Sequence, residues 1–205
     1  KSGAQTGLLI SHMQTDSAFC EAYRLLRLKL LRQLKEEDKV LMVTSSIPSE
    51  GKSSVSVNLA LSLAREGKKV LLIDGDLRGP SDKALLGITK PSEGLGQCLS
   101  GSLDQVHFLR YEDTSLYVFA GSQPIQSPMN LLQYDKLEAL MNTLRPMFDY
   151  IVLDTPPCAM MADALAMCRH VDRVIYVIPY TSIIDQIKRL VAVEEAKKLV
   201  AAKKK

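Results

Sequence analysis

The run Val40-Leu41-Met42-Val43-Thr44-Ser45-Ser46-Ile47-Pro48-Ser49-Glu50-Gly51-Lys52-Ser53-Ser54 decides how this chain folds. Its first five residues are mostly β-branched or aliphatic and read as a buried strand, whereas 55–65 bring Val57, Leu61 and Ala64 to one side at helical spacing. A strand, a loop and a helix therefore meet at Lys52. Such a junction attracts anions, because the first N–H groups of a helix point outward and its dipole adds partial positive charge. The spacing follows G-x-x-x-x-G-K-S/T except that Ser46 stands at the first glycine. On this pattern Ser49, Glu50, Gly51, Lys52, Ser53 and Ser54 form a phosphate cradle, with Lys52 reaching the β- and γ-phosphates and the Ser53 hydroxyl on Mg²⁺. The bland alternative is a serine-capped strand-to-helix turn.

Two further strand ends carry acids. Lys69-Val70-Leu71-Leu72-Ile73 is a continuous apolar run after Gly67, a helix stop, and it leads into Asp74-Gly75-Asp76-Leu77-Arg78. If the extended backbone continues through Gly75, Asp74 and Asp76 point to one side. Carboxylates that close repel unless a cation or proton lies between them, and in a phosphoryl-transfer site they hold Mg²⁺ through water or take a proton from an attacking hydroxyl. Solvated turn residues before Gly79-Pro80 are the competing reading. The second strand end, Tyr150-Ile151-Val152-Leu153-Asp154, stops at Thr155-Pro156-Pro157, and Asp154 suits the Walker-B role beside the Ser53 hydroxyl.

Composition agrees with an α/β enzyme domain. The chain has 205 residues, 46% hydrophobic and 24% charged, which predicts one globular domain over 16–205 behind a loose segment at 1–15. The net charge of +3 owes part of its excess to Lys203, Lys204 and Lys205, so no nucleic-acid partner is expected. Cys20, Cys98, Cys158 and Cys168 have no C-x-x-C spacing, and His12, His107 and His170 are scattered, which disfavours zinc, iron–sulfur carriage and disulfides and suits a cytoplasmic location. No run approaches the roughly 20 apolar residues of a membrane helix. Helices are expected at 17–34, where Phe19, Tyr23, Leu26 and Leu30 recur at intervals of four and three, at 129–147 until Pro146 disturbs the end, and from Thr181 onward. Further strands are expected at 116–119 and within 171–179. Strands alternating with helices predict an α/β fold, a mainly parallel sheet with helices on both faces, and the Lys52 loop makes it of the P-loop type.

From about Glu21 to Ile178 the chain resembles the bacterial tyrosine kinases of capsule and exopolysaccharide systems, within the P-loop group that includes MinD and ParA. The resemblance rests on Glu21-Ala22-Tyr23-Arg24-Leu25-Leu26-Arg27 as the E-x-x-R-x-x-R helix and on Pro48-Ser49-Glu50-Gly51-Lys52-Ser53 as Walker A. It continues through 71–80 as Walker A′, Gly94-Leu95, Leu99-Ser100-Gly101, 121–132 and 148–157, all in the family's order. It implies an ATP- and Mg²⁺-dependent protein tyrosine kinase in which Lys52 and Ser53 bind phosphate and metal, Asp74 is the base and metal-shell residue, and Asp76 and Asp154 complete the acidic shell. It also implies a ring-shaped homo-oligomer with Glu21, Arg24 and Arg27 at the subunit interface, protein tyrosine substrates, and a membrane-spanning polysaccharide co-polymerase as activator, fused or separate, at the inner face of the membrane. The plain reading of the helix is Glu21 pairing with Arg24, worth about 0.2–0.5 kcal/mol.

The chain departs from the family at two places. Ser49 replaces a usual glycine, at a cost on the order of 1 kcal/mol if the backbone there needs positive φ. The family's C-terminal tyrosine cluster has no counterpart after Tyr180, which leaves a trimmed chain, substrate tyrosines on other proteins, or an absence of self-phosphorylation. Two other functions compete. A MinD- or ParA-like ATPase would carry a second lysine where Ile47 stands, and a nucleotide-sensing scaffold would bind without transferring phosphate.

Overall fold

The computed structural model describes residues 9–101 and 106–179. Among them, strands β1 (Val40–Ser45), β2 (Val70–Asp74), β3 (Leu109–Arg110), β4 (Leu116–Phe119), β5 (Tyr150–Asp154) and β6 (Arg173–Val177) form one sheet in the order β3-β4-β2-β5-β1-β6. All neighbours are parallel except β3, which runs antiparallel to β4. The helices are α1 (Ala18–Leu31), α2 (Lys52–Arg65), α3 (Asp82–Leu85), α4 (Leu95–Ser100), α5 (Tyr134–Leu144) and α6 (Ala162–Cys168).

Both faces of the sheet are covered, so the central strands read as unbroken apolar runs rather than alternating ones. Successive side chains still alternate between two cores. Leu41, Val43, Val70, Leu72 and Val152 pack with Val57, Leu61 and Leu63 of α2, while Met42, Leu71, Ile73, Ile151 and Leu153 pack with Leu137, Leu140, Met141 and Leu144 of α5. Each such leucine contributes about 1.5–3 kcal/mol when fully buried.

The local signals explain most boundaries. Ser17 caps α1 by accepting the Cys20 N–H at 3.2 Å, and Phe19, Tyr23, Leu26 and Leu30 turn toward the α2 core. The helix ends at Leu31, short of the expected 34, and a turn keeps Leu34 on the same core. Gly67, at φ 78°, stops the chain after α2 as its position suggested.

The structure differs from the sequence pattern at four places. Residues 9–12 are not loose: Leu9 and Ile10 are buried, the Ile10 N–H donates to Asn58 Oδ1 at 2.8 Å, and Arg65 Nη2 donates to the Ile10 carbonyl at 2.7 Å. The helix expected over 129–147 is α5 flanked by 3₁₀ turns at Pro128–Asn130 and Arg145–Met147, because prolines sit at both ends. The short β3 and α6 were not anticipated, being two and seven residues long without a clear period. The extended backbone stops at Asp74 instead of running on through Gly75. The helix expected from Thr181 and the first eight residues of the loose segment lie outside the described residues.

Candidate nucleotide and cation site

The site lies at the carboxyl ends of β1, β2 and β5, where open parallel sheets bind ligands. The loop after β1 is braced from within. Glu50 is buried, and its Oε2 accepts the Ser46 and Ile47 N–H groups at 2.9 and 3.1 Å, so its side chain shapes the loop itself. Ser45 Oγ donates to the Ile47 carbonyl at 2.9 Å, and Ser46 Oγ lies 2.8 Å from the Tyr176 hydroxyl on β6. Ser49 adopts φ 64° and Gly51 φ 89°. The left-handed turn expected at Ser49 is thus present, in a residue with a Cβ.

Lys52 is the first residue of α2, and its Nζ lies 3.5 Å from Asp76 Oδ2, both side chains being mostly shielded from solvent. Ser56, one turn further along α2, donates its hydroxyl to Asp154 Oδ1 at 2.8 Å. That residue escaped the sequence reading, although its spacing of three from Ser53 puts both hydroxyls on one helix face.

Strand register brings the acids together. β2 and β5 run parallel with Asp74 opposite Asp154, so the two carboxyl groups leave the sheet side by side. Gly75 permits this closeness: its N–H donates to the Asp154 carbonyl at 2.7 Å, and a Cβ there would come within 2.6 Å of the same oxygen. After Asp74 the chain turns. Asp74 Oδ1 accepts the Asp76 N–H at 3.1 Å, and Oδ2 accepts those of Ser81 and Asp82 at 2.8 and 3.0 Å. Asp76 therefore reaches Lys52 from a turn, and the next carboxyl group against Asp74 and Asp154 is Asp82, which no motif announced. Asp74, Asp82 and Asp154 offer ligand oxygens within 4.8 Å of one another, all buried.

Electrostatics follow from that burial. Burial raises the Asp74 carboxyl, the Asp154 charge adds to it, the Asp82 and Ser81 N–H groups oppose it, and the result is pushed up to about 7. Burial also raises Asp154, against the Lys52 ammonium and the Ser53 and Ser56 hydroxyls. Asp82 is raised well above the usual carboxylate range by burial and by its two neighbours.

A divalent cation fits these residues. The donors are hydroxyl and carboxylate oxygens, the hard set that Mg²⁺ prefers, and Asp154 Oδ2 and both oxygens of Asp82 accept no hydrogen bond although buried. Among the described residues no cysteine or histidine joins such a group. Of the three residues expected at a subunit interface, Glu21 and Arg24 are exposed and paired with each other, while Arg27 turns inward. Its Nη1 donates to the Ser62 carbonyl at 2.9 Å and its Nη2 lies 2.7 Å from Glu66 Oε1. Arg27 thus fastens α1 to α2 within the chain.

A profile of the family described as ParA, NUBPL iron-transfer P-loop NTPase, matches residues 36–202. The tyrosine-protein kinase CpsD of Streptococcus pneumoniae serotype 4 is 41% identical over 145 residues, which are 68% of this chain and 62% of that protein. The chain thus spans under two thirds of the CpsD length. The putative tyrosine-protein kinase CapB of Staphylococcus aureus is 30% identical over 174 residues, 83% of this chain and 75% of CapB. The kinase domain of the Escherichia coli tyrosine kinase ETK superposes with a TM-score of 0.75 at 28% identity, covering 86% of this chain and 70% of that one. With the loop at Lys52 and the paired acids of β2 and β5 in one nucleotide-binding fold, the chain belongs to the ParA-type P-loop NTPases and, among them, to the bacterial tyrosine-protein kinase family that includes CapB.

Proposed function

We propose that this chain transfers the γ-phosphoryl group of ATP to protein tyrosines, with Mg²⁺, in the control of capsular or exopolysaccharide synthesis. The observation that carries the reading is the register of β2 on β5, which sets Asp74 against Asp154 beside Lys52 and Ser53. Ser49 to Ser54 line the phosphate side through the loop and the start of α2, with the Lys52 ammonium opposing charge on the β- and γ-phosphates. Ser53, Asp74 and Asp154 are the residues that would hold Mg²⁺, which supplies charge neutralisation on the phosphates when bound.

The chain's own part in the step is positioning and proton handling. Asp74 takes the phenolic proton as the tyrosine oxygen forms its bond to phosphorus and the bond to ADP breaks; Asp76 keeps Lys52 oriented between loop and acids. Positioning and charge supply most of the rate in such transfers. Among the described residues no helix is long and apolar enough to cross a membrane. The family resemblance adds to the reading a membrane-spanning activator, fused or separate, that holds the domain at the inner face of the membrane. It also includes a homo-oligomeric ring, with the exposed Glu21 and Arg24 at the contact and Arg27 supporting their helix from behind.

The test is incubation with ATP and Mg²⁺, with and without the activator's cytoplasmic segment, scoring phosphotyrosine and free phosphate separately. Wild type is expected to form phosphotyrosine, and Lys52→Ala and Asp74→Asn to lose it. Phosphate release with no phosphotyrosine in any condition makes the protein an ATPase instead.

A further inference from the structure

Asp82 is fully buried, and neither of its carboxylate oxygens accepts a hydrogen bond. A buried carboxylate in that condition calls for an ion, a proton or a water, since an unpaired buried charge is costly. Its position is built rather than accidental. The N–H groups of Ser81 and Asp82 both donate to Asp74 Oδ2, which pins the first residue of α3 against the end of β2 and carries the Asp82 side chain in beside Asp154.

The three acids differ in what they have left to offer. Asp74 already accepts three backbone N–H groups, and Asp154 spends Oδ1 on Ser56. The unpartnered oxygens are Asp154 Oδ2 and the two of Asp82. The ammonium that opposes their charge is that of Lys52, which is shared with Asp76. With Asp76, four carboxyl groups face one lysine, an excess of acid that a divalent cation would reduce.

We propose that Asp82 is a third cation-holding carboxylate of this site, joining Asp74 and Asp154, so that the chain binds a divalent cation before any nucleotide arrives. The inference rests on the reading of Asp74 and Asp154 as the cation side of the site. Mg²⁺ in phosphoryl-transfer sites is commonly held by one or two carboxylates together with the substrate's own phosphates, which makes cation binding depend on nucleotide. A third carboxylate removes that dependence. The cation then arrives first, replaces the uncompensated charge at the carboxyl ends of β2 and β5, and meets the nucleotide in a formed site.

The experiment titrates chelator-treated, nucleotide-free protein with MgCl₂ and, separately, MnCl₂, using calorimetry for affinity and thermal melting for linked stability. Wild type is expected to bind and to melt higher with cation. Asp82→Asn is expected to bind roughly tenfold or more weakly and to lose the cation-induced rise. Asp82→Ser repeats the measurement with a smaller neutral side chain, in case the asparagine amide disturbs folding. A wild type that ignores both cations until nucleotide is added overturns the proposal. So do folded neutral variants with wild-type cation affinity, which would assign the Asp82 oxygens to a proton shared with Asp154. Because no nucleotide is present, failure here leaves the kinase reading standing, whereas lost phosphotyrosine formation with cation binding intact counts against the kinase reading alone.

Discussion

The same central strands end in carboxylates that live under opposite conditions. At the amino end, Asp172 accepts the Lys39 and Val40 N–H groups at 2.9 and 2.8 Å on Oδ2 and both Arg145 Nη atoms at 2.7 and 2.9 Å, one on each oxygen. Arg145 also donates to the His170 carbonyl, and Lys39 Nζ to the carbonyls of Arg145 and Phe148. At the carboxyl end, Asp82 and one oxygen of Asp154 have no donor at all. Six residues of β1 separate the two conditions, about 17–20 Å of extended chain. The difference separates two uses of an acid. One is saturated with donors and joins elements; the other is held in place with bonding capacity to spare, which is the state a ligand needs.

The sharpest way to break this contrast is to neutralise one acid at each end. Asp74→Asn is expected to lower phosphotyrosine formation at least about 100-fold, the usual contribution of a positioned base, with a loss of about 1 kcal/mol or less in chelator, since the amide keeps one acceptor oxygen for the turn's N–H groups. Asp172→Ala should do the reverse. It leaves the Arg145 guanidinium and two backbone N–H groups without their acceptor, for a loss of about 2–3 kcal/mol by urea denaturation, while activity per folded molecule stays at the wild-type level. If Asp74→Asn unfolds the protein and Asp172→Ala does not, the two ends have been assigned the wrong way round. Arg27→Ala belongs with the second class: about 2 kcal/mol lost through Ser62 and Glu66, against under 0.5 kcal/mol for the exposed Arg24→Ala.

The ends also answer pH with opposite sign. Asp74, raised from 3.8 to about 7, makes the folded chain bind more protons than the unfolded chain between those values. Its contribution is therefore fully present below about pH 4 and lost as pH climbs toward 7. For Asp172, partial burial pushes upward, but the Arg145 guanidinium and the Val40 and Lys39 N–H groups outweigh it, and the carboxyl lies below its ordinary 3.8. That contribution is present above the ordinary value and lost as pH falls through the lowered one. Melting temperature against pH in chelator is expected to decline from 4 to 7 in wild type and to decline less steeply in Asp74→Asn, where the raised Asp82 and Asp154 remain. In Asp172→Asn the change appears on the acid side instead. A flat wild-type profile across 4 to 7 would remove the electrostatic half of the comparison.

How much of this was legible in the letters follows from distance along the chain. The strand, loop and helix around Lys52 are local, so period and spacing sufficed, and the parallel sheet followed from alternating elements. The pairing of Asp74 with Asp154 was inferred from a motif set; what joins them is register between strands 80 residues apart, which periodicity does not encode. Asp82 lay beyond reach because it arrives through a turn of irregular backbone fastened to Asp74 itself. The position of Asp76 has the same origin: that turn takes it off the strand and over to Lys52. Arg27 illustrates a different limit. Its motif spacing reads identically whether the guanidinium faces a neighbour or Glu66 on the adjacent helix, and only tertiary packing decides.

The smallest expected effect tests whether the ligand end also stores backbone strain. Ser49 holds φ 64° in the loop, and the other described non-glycine residue at positive φ, Glu112, lies in the turn between β3 and β4, away from the site. A left-handed conformation costs an L-residue about 1–2 kcal/mol, and a glycine placed there gives back about 0.5–1 kcal/mol through its freer unfolded state. Ser49→Gly is therefore expected to stabilise the nucleotide-free protein by under about 1 kcal/mol, a rise of a few degrees at most for a chain of this size. Isothermal titration with ADP and Mg²⁺ then separates two roles for the serine. Tighter binding in the glycine variant would mean that strain in the loop opposes the phosphate. Weaker binding, with stability raised, would mean that the serine holds the loop open in the form the phosphate meets, and the comparison between a satisfied end and a poised end would extend from side chains to backbone.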